Sequence, residues 1–366
     1  MGVGNVRVRQ RRQRTAALGL AVVLLGGSAC ASDIDDGAES GPAATPVGTQ
    51  ASSPGDPQVQ QLDRAIPPPL TVRTAADWPF SGDSPWNTPL GEDANLESGD
   101  AVRTDQLRWN WIPVTINAGH YSHPIYRASA DDPTVTVTDE GRGGLVSTFQ
   151  MPSDARPAEG EDRHLLVIDP SGRWVDEMWN AQGSAEDGFT VGYHARIDLM
   201  GSGISDGVRA YGGSAIGGLV RQWELERGEI RHALALALTE GQLATGPVWP
   251  ATRQDGNADS TYGGALPMGT LVAIPPDVDL SALDLTEAGM TVATALKEFG
   301  AYVVDRAGAV ALYAEPTLED TPLLADARSD WETLRSVLSV VTDNRPDQVG
   351  GAGNGLGPLP PKLSQE

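Results

Sequence analysis

A run of acids, histidines and tryptophans between residues 162 and 232 is the part of the sequence best suited to chemistry. Its first members are Asp162, Arg163 and His164, just before the apolar run 165–168. Residues two apart share a face of a β-strand, so Asp162 and His164 are expected to project together. A neighbouring carboxylate fixes one imidazole tautomer and raises the pKa of the ring, as a general base requires. The alternative is a structural histidine at a strand end with Asp162 exposed in a loop.

The segment 173–180 alternates so that Glu177 and Trp179 share one face of a strand. A carboxyl group beside tryptophan in a partly dry groove has a raised pKa, and a tryptophan face stacks on the apolar face of a sugar ring. Glu177 is therefore the predicted general acid, and Trp179 is a predicted sugar platform. The alternative is that Glu177 only pairs with an arginine on a solvated sheet face.

Glu224 and His232 are a third candidate pair. Residues 217–238 are predicted to form a β-hairpin turning at Arg227 and Gly228, with Glu224 on its first strand and His232 on its second. If the face opens into a cleft, the two side chains are an acid/base or metal-ligand pair. If the face is buried, Glu224 supplies the acceptor that a buried histidine needs.

These residues favour a glycan-active enzyme, and most specifically a glycoside hydrolase. Glu177 is the expected general acid and Glu224 the second carboxylate, with their carboxyl groups about 5 to 10 Å apart in one cleft. His232 or His164 is the expected orienting residue, with Asp162 beside His164. Predicted substrate contacts are aromatic platforms and their polar neighbours, namely Trp179, Trp223, Arg221, Asn180 and Arg163.

Two alternatives to hydrolysis stay open. A polysaccharide lyase would use His164 as a base and Arg163 or Arg221 to neutralise the carboxylate of a uronate. A non-catalytic glycan-binding or cell-envelope lipoprotein would need only the tryptophans and a groove.

The sequence predicts no cofactor. His120 and His123 are too few for a zinc site. The acidic pairs 131–132 and 139–140 are compatible with a structural calcium ion, but solvated turns explain them equally well. The sequence lacks a phosphate-cradling glycine loop, a Gly-x-Ser-x-Gly elbow and a His-Glu-x-x-His motif, and it has one cysteine. Nucleotide enzymes, typical serine hydrolases, common metalloproteases and thiol enzymes are therefore excluded.

The elements that must position these residues are short strands between turn clusters. The predicted strands are 135–138, 164–169, 173–179, 218–225, 230–238, 270–274 and 301–305, and the predicted turns include 305–308. Two helices are predicted, 286–299 ended by Gly300 and 330–341 opened by Ser329. Many short strands with few helices predict an all-β fold, a β-sandwich or jelly roll with one or two appended helices.

Composition divides the chain into five parts. They are a signal peptide at 1–29, a disordered tether at 30–75, a β-sandwich domain at 76–316, a helical extension at 317–344 and a disordered tail at 345–366. The tether and the tail are rich in Gly, Pro, Ser and Asp and poor in aromatic residues, so they are not expected to contribute to the core.

Cys30, the one cysteine, follows five arginines, the apolar stretch 16–25 and a few small residues. This pattern resembles the lipobox of bacterial lipoproteins. The resemblance implies export, lipidation of Cys30 with acyl chains such as palmitate, and anchoring on the outer face of the bacterial cell membrane. The net charge of −23 opposes binding to nucleic acid and to anionic headgroups. The expected partners are a polysaccharide or glycan and, through the lipid anchor only, the membrane.

A second resemblance covers most of residues 80–314. Its motifs are 162–164, Glu177 with Asn180, 218–221 with Glu224, 228–233 around His232, 249–251 and 267–269. They resemble a group of secreted bacterial proteins of jelly-roll type that have no settled activity. The resemblance implies the jelly-roll fold and assigns no catalytic residue.

Overall fold

The computed structural model describes residues 71–364, which form a mostly-β protein with few helices. The strands are β1 (Val72–Arg73), β2 (Val114–Asn117), β3 (Ile125–Arg127), β4 (Thr134–Asp139), β5 (Leu145–Gln150), β6 (Leu165–Ile168), β7 (Trp174–Trp179), β8 (Gln182–Ser184), β9 (Gly188–Val191), β10 (Tyr193–Asp198), β11 (Leu234–Leu238), β12 (Leu243–Ala244), β13 (Leu266–Pro267), β14 (Leu271–Ala273), β15 (Ala301–Arg306), β16 (Val310–Tyr313), β17 (Ser339–Val340) and β18 (Lys362–Leu363). The α-helices are α1 (Val102–Leu107), α2 (Gln222–Arg227), α3 (Ala258–Thr261), α4 (Glu287–Glu298) and α5 (Pro322–Val337). Two 3₁₀ turns lie at Leu280–Leu283 and Pro316–Leu318.

The largest sheet has six strands in the order β17-β14-β15-β11-β16-β2. It is mixed, since β11 pairs in parallel with β15 and antiparallel with β16. Helix α5 packs against this sheet: the Trp331 indole donates to the carbonyl of Val310 at 3.0 Å, and Arg328 donates to the carbonyl of Ile116. Helix α5 thereby covers one face of the sheet, and the opposite face is available to other parts of the molecule.

Two four-stranded sheets, β10-β7-β6-β3 and β5-β4-β9-β8, lie against each other. Leu165, Val167 and Met178 of the first sheet form one hydrophobic cluster with Val137 and Phe189 of the second. The alternate residues of β6 and β7, such as Leu166 and Val175, belong to the main core instead. The central strands of the β10-β7-β6-β3 sheet are therefore buried on both faces, as the continuous apolar run of β6 requires.

The jelly-roll topology is not confirmed. Within the described residues six strand pairs are parallel, namely β1 with β18, β3 with β6, β4 with β9, β11 with β15, β12 with β13 and β16 with β2. Parallel neighbours need crossover connections and cannot be joined by the tight hairpins that dominate antiparallel sandwiches.

The predicted hairpin at 217–238 is wrong. Residues Gln222–Arg227 form helix α2, and Gly228 ends it with φ 75°. The Glu224 carboxylate accepts from the backbone N–H of Arg221, which satisfies a free donor at the first turn of the helix. A six-residue helix shows too little periodicity to be told from a strand. Only Leu234–Leu238 is a strand, so His232 lies just before it.

The last predicted helix begins too late in the sequence. Helix α5 starts at Pro322, after Thr321, whose hydroxyl accepts from the N–H of Leu324. Threonine followed by proline is a strong start signal, because the hydroxyl caps the first turn and proline fits the first helical position. Trp331 and Leu334 of α5 belong to the same hydrophobic core as the sheets. The 317–344 extension therefore shares one core with the preceding domain.

The tail after Asn344, which composition predicts to be disordered, is placed on the body through residue 364. Its backbone bonds to the 90–93 segment: Gly91 N–H donates to Gly350, Asp93 N–H to Ala352 and the tail's Leu356 N–H to Leu90. Strand β18 then pairs in parallel with β1. Long-range backbone hydrogen bonds hold this segment although it buries few apolar side chains.

Residues 1–29 and most of the 30–75 tether lie outside the described residues. Within 71–364, no helix is both long enough and apolar enough to cross a membrane.

Candidate functional site

Glu177, the predicted general acid, is fully buried on β7 and holds a loop. Its carboxylate accepts from the Ser214 hydroxyl, from Ala215 N–H at 2.9 and 3.0 Å and, more weakly, from Val208 N–H at 3.4 Å. Burial raises the pKa of Glu177, and these hydrogen bonds oppose the rise. Glu177 therefore ties residues 208–216 to the sheet, and its oxygens are occupied by protein donors.

Glu224 and His232 do pair, at the start of helix α2 and away from an open cleft. His232 Nε2 lies 3.0 Å from Glu224 Oε1, and Nδ1–H donates to the Ala233 carbonyl at 2.9 Å. Burial lowers the pKa of His232, but the Glu224 charge and hydrogen bond outweigh it and the net pKa is raised. The cavity beside them measures about 10 Å³, room for one water molecule. This pair links helix α2 to the segment that precedes strand β11.

Arg221 and Trp223 belong to the same helix region. Arg221 is buried and forms an ion pair with Glu315, whose other oxygen accepts from Gln222 N–H at 2.8 Å. Trp223 is half-buried. The predicted substrate contacts Arg221 and Trp223 are thus separated in the structure from the predicted contacts on β7.

Asp162, by contrast, lies beside Trp179. The Trp179 indole N–H donates to Asp162 Oδ1 at 3.2 Å, and Asn180 N–H donates to the Asp162 carbonyl at 2.7 Å. Trp179 is 39% exposed and its ring lies against Gly192, where a Cβ would come within 2.6 Å of it. Arg163 is exposed with φ 45°. Because β6 begins only at Leu165, the expected pairing of Asp162 with His164 along a strand is not formed.

A cavity of about 620 Å³ lies next to Asp162. Its lining includes side chains from β2 and β16, from the turn after β11 and from the β15–β16 connection, namely Thr115, Asn117, Tyr121, Asp162, Thr239, Glu240, Arg306, Ala311 and Tyr313. The cavity therefore combines the sheet face opposite helix α5 with the loop that precedes β6.

Asp305 lies on the strand face that forms the floor of this cavity. Ala237 of β11 is in register with Asp305 of β15 and with Ala311 of β16, and Ala311 is in register with Thr115 of β2. Side chains in register point to the same face of a sheet. Ala311 and Thr115 line the cavity, so Asp305 faces the same side, with two small alanines leaving space between it and β2.

The pKa of Asp305 is raised to about 7. Burial is the main cause, the charges of Asp162 and Asp255 add to it, and the charge of Arg209 opposes it. A carboxyl group with this pKa is about half protonated near neutral pH, so a substantial fraction can act as a general acid there. The charge of Asp162 thus reaches Asp305 and adds to its raised pKa.

A buried arginine and two buried histidines lie behind Tyr313. The Arg209 guanidinium sits 4.0 Å from the centre of the Tyr313 ring and contacts His123 Nδ1 at 3.3 Å. The His123 and His164 rings are 4.4 Å apart, and burial together with Arg209 lowers both pKa values, that of His164 to about 3. Both histidines are therefore neutral near pH 7. Burial raises the pKa of Tyr313, which stays a neutral hydrogen-bond donor.

Sequence reasoning found Asp162 and Trp179 but missed Asp305, Tyr313 and Arg209. Asp305 is the last residue of the predicted strand 301–305 and the first of the predicted turn 305–308. A lone acid directly after the apolar residues of a strand is the signal that could have identified it.

The remaining candidate ligands are dispersed. His120 pairs with Glu159 at 3.1 Å, and Asp139 accepts from the backbone N–H groups of His194 and Arg142. The described part of the chain holds no group of three His, Cys, Asp or Glu placed to bind a metal ion. Structural calcium stays a prediction.

Comparison of the chain with protein-family models, with curated proteins and with solved structures found no match.

Proposed function

We propose that this protein is a glycan-active enzyme, a glycoside hydrolase, and that the cavity over the six-stranded sheet is its active site. The observation that carries the proposal is a cavity of about 620 Å³ that Asp162 lines, over a sheet face that Ala311 shares with Asp305, whose pKa is raised to about 7. Glycosidases need one protonated and one ionised carboxyl group on either side of the scissile bond.

In this proposal Asp305 protonates the leaving oxygen and Asp162 is the second carboxylate. Asp162 accepts a hydrogen bond from the Trp179 indole at 3.2 Å, which fixes the position of its carboxylate. Tyr313 supplies a neutral phenol to a sugar hydroxyl, and Arg209 behind it limits how far the pKa of Asp305 rises. The Asp162 and Asp305 carboxylates replace Glu177 and Glu224 in the roles first predicted, because protein donors already occupy those two glutamates.

Two exposed aromatic rings support a sugar ligand, Tyr121 in the lining of the cavity and Trp179 beside Asp162. Tyr121 is 42% exposed and its ring lies over Gly160, where a Cβ would come within 2.9 Å of it. Trp179 is exposed to a similar extent beside Asp162. Glycine lets each ring approach the backbone closely, and partly exposed aromatic faces stack on the C–H groups of a pyranose. Binding here does not depend on jelly-roll connectivity.

The residues first predicted for a polysaccharide lyase fit less well. His164 is buried with a pKa of about 3, which makes it a weak base, and Arg221 is paired with Glu315. Arg209 is near Tyr313, but it is 1% exposed and lies behind the ring. Hydrolysis therefore has more support than β-elimination.

The deciding experiment screens the purified chain against a panel of neutral and acidic polysaccharides, recording reducing-end release and absorbance of unsaturated products. We expect reducing ends without unsaturated product, and a loss of about 10²- to 10⁴-fold in Asp305→Asn, the usual contribution of a general acid. Asp259→Asn on the exposed face of α3 is the matched control and should keep full activity.

Other outcomes would replace this function. Unsaturated products would identify a lyase. Binding without turnover on every polysaccharide, unchanged in Asp305→Asn, would identify a glycan-binding protein.

We also propose that the chain is exported and lipid-anchored through Cys30. The support is the sequence alone, since Cys30 lies outside the described residues. Metabolic labelling with a radioactive or clickable fatty acid should label the parent chain but not Cys30→Ser, which should also leave the detergent phase. Equal detergent partitioning of the two proteins would show that acylation is not what holds the chain at the membrane.

A further inference from the structure

Trp109 and Trp111 form a stacked pair on the surface just after helix α1. Their ring centres are 4.7 Å apart with an interplanar angle of 25°, and Trp111 is 66% exposed. Trp111 is thus much more exposed than Trp179, although tryptophan is among the most costly side chains to leave in water. A large apolar ring kept in solvent is a mark of a binding surface.

The pair is held on a rigid support. The guanidinium of Arg335, which has no exposed surface, donates to the Trp109 and Leu107 carbonyls from helix α5. The Trp109 indole N–H donates to Asp105 Oδ2 at 3.3 Å. A platform fixed in this way loses little conformational entropy when a ligand binds.

The exposed polar side chains next to the pair are Asn110 and Asp105, while the guanidinium groups of Arg108 and Arg335 are bonded to backbone carbonyls. Hydrogen-bonding partners for sugar hydroxyl groups therefore lie beside an apolar face. The net charge of −23 disfavours an anionic ligand. A neutral sugar ring matches this surface, because it has apolar C–H faces and hydroxyl groups along its edge.

The support of the pair is continuous with the cavity. The Gln106 carbonyl of α1 accepts from the Gln242 side chain at 2.8 Å, and the Gln106 side chain accepts from Ala265 N–H at 2.8 Å. Gln242 closes the turn that begins at Thr239, a cavity residue. Trp111 is also four residues before Thr115, so their Cα atoms are at most about 14 Å apart.

We propose that the stacked Trp109 and Trp111 pair is a distal sugar-binding subsite, and that the ligand is a long neutral polysaccharide that passes from this pair into the cavity. This inference rests on the proposed glycan activity for its connection to the cavity. Binding at the pair is independent of catalysis and is measured separately.

Affinity electrophoresis of the full chain tests the proposal in native gels containing galactomannan, mixed-linkage β-glucan or arabinoxylan, with polygalacturonate as the anionic comparison. The Asp305→Asn background prevents cleavage of the gel polymer. We expect retardation in at least one neutral gel, a Kd about fivefold or more weaker in Trp111→Ala, and recovery in Trp111→Phe. Leu145→Ala, which removes an apolar side chain that is 52% exposed on β5, is the matched control and should bind like the parent.

Each outcome decides the question. Retardation of Trp111→Ala equal to that of the parent, or no retardation of the parent in any neutral gel, overturns the subsite. Loss of retardation in Trp111→Ala, together with absence of product from every polysaccharide, would support the binding surface and count only against hydrolysis.

Discussion

Two sets of carboxylates, the buried Glu177 and Glu224 and the half-buried Asp162 and Asp305, behave differently in this molecule. Glu177 and Glu224 accept hydrogen bonds from several backbone N–H groups and side chains, and each ties a loop or helix to the core. Asp305 and Asp162 have few protein donors, and burial together with like charge raises the pKa of Asp305 to about 7. The number of protein donors on a buried carboxylate, rather than its burial, separates a structural acid from a reactive one.

The largest expected effect tests the structural set. Glu177→Ala leaves the Ser214 hydroxyl and the Ala215 N–H without an acceptor, and a buried orphan donor costs about 1–3 kcal/mol. Denaturant unfolding should therefore show a loss of about 3–5 kcal/mol. In Asp305→Asn the same measurement should show no loss, since the neutral amide removes a buried charge. Equal losses in both variants would contradict the division into two sets.

The second prediction concerns the pH dependence of the reactive set. A general acid must be protonated, so kcat/KM should fall about tenfold for each pH unit above the pKa of Asp305, which is about 7. Initial rates between pH 5 and 9 on the substrate found by screening measure this limb. Activity that stays flat up to pH 9 would remove Asp305 from the role of acid.

The third prediction concerns the Glu224 and His232 pair. The pKa of His232 is raised above its ordinary value of 6.5, so its contribution to stability is complete below that value and is lost as pH rises through the folded-state pKa. Thermal unfolding of the parent and of Glu224→Gln should differ by about 1 kcal/mol at pH 6 and converge at pH 9. A difference that grows with rising pH would show that His232 is neutral in the fold.

The smallest expected effect comes from changing the pKa of Asp305 by a substitution at another residue. The charge of Asp255 contributes to the raised pKa, so Asp255→Asn should move the alkaline limb of the rate profile to lower pH. The control is Asp259→Asn on exposed helix α3, for which the limb should not move. A limb shifted to higher pH would mean that another group titrates there.

Local sequence signals gave much of the fold. The strands at 135–138, 164–169, 173–179, 270–274 and 301–305 and the helix at 286–299 are all present within a few residues. Each is long enough, or bounded clearly enough by glycine or aspartate, for its period to be read. The hairpin at 217–238 and the start of helix α5 failed, because a short helix and a polar first half of a helix give weak apolar periodicity.

The candidate site was only half accessible from the sequence. Asp162, Trp179 and Asn180 could be found together, since a turn and one strand bring them close. Asp305 and Tyr313 lie about 140 residues later. No sequence motif or short turn connects these two residues to Asp162.

The sequence by itself determined that the chain is mostly β, where many of its strands lie, and which residue types are available for chemistry. The tertiary structure decided which acids are saturated by donors and which share a cavity. That division depends on strand register, since Asp305, Ala237, Ala311 and Thr115 come from four strands that are distant in the sequence. Hydrogen-bond saturation and shared electrostatic fields arise from such long-range neighbours, which residue spacing along the chain does not encode.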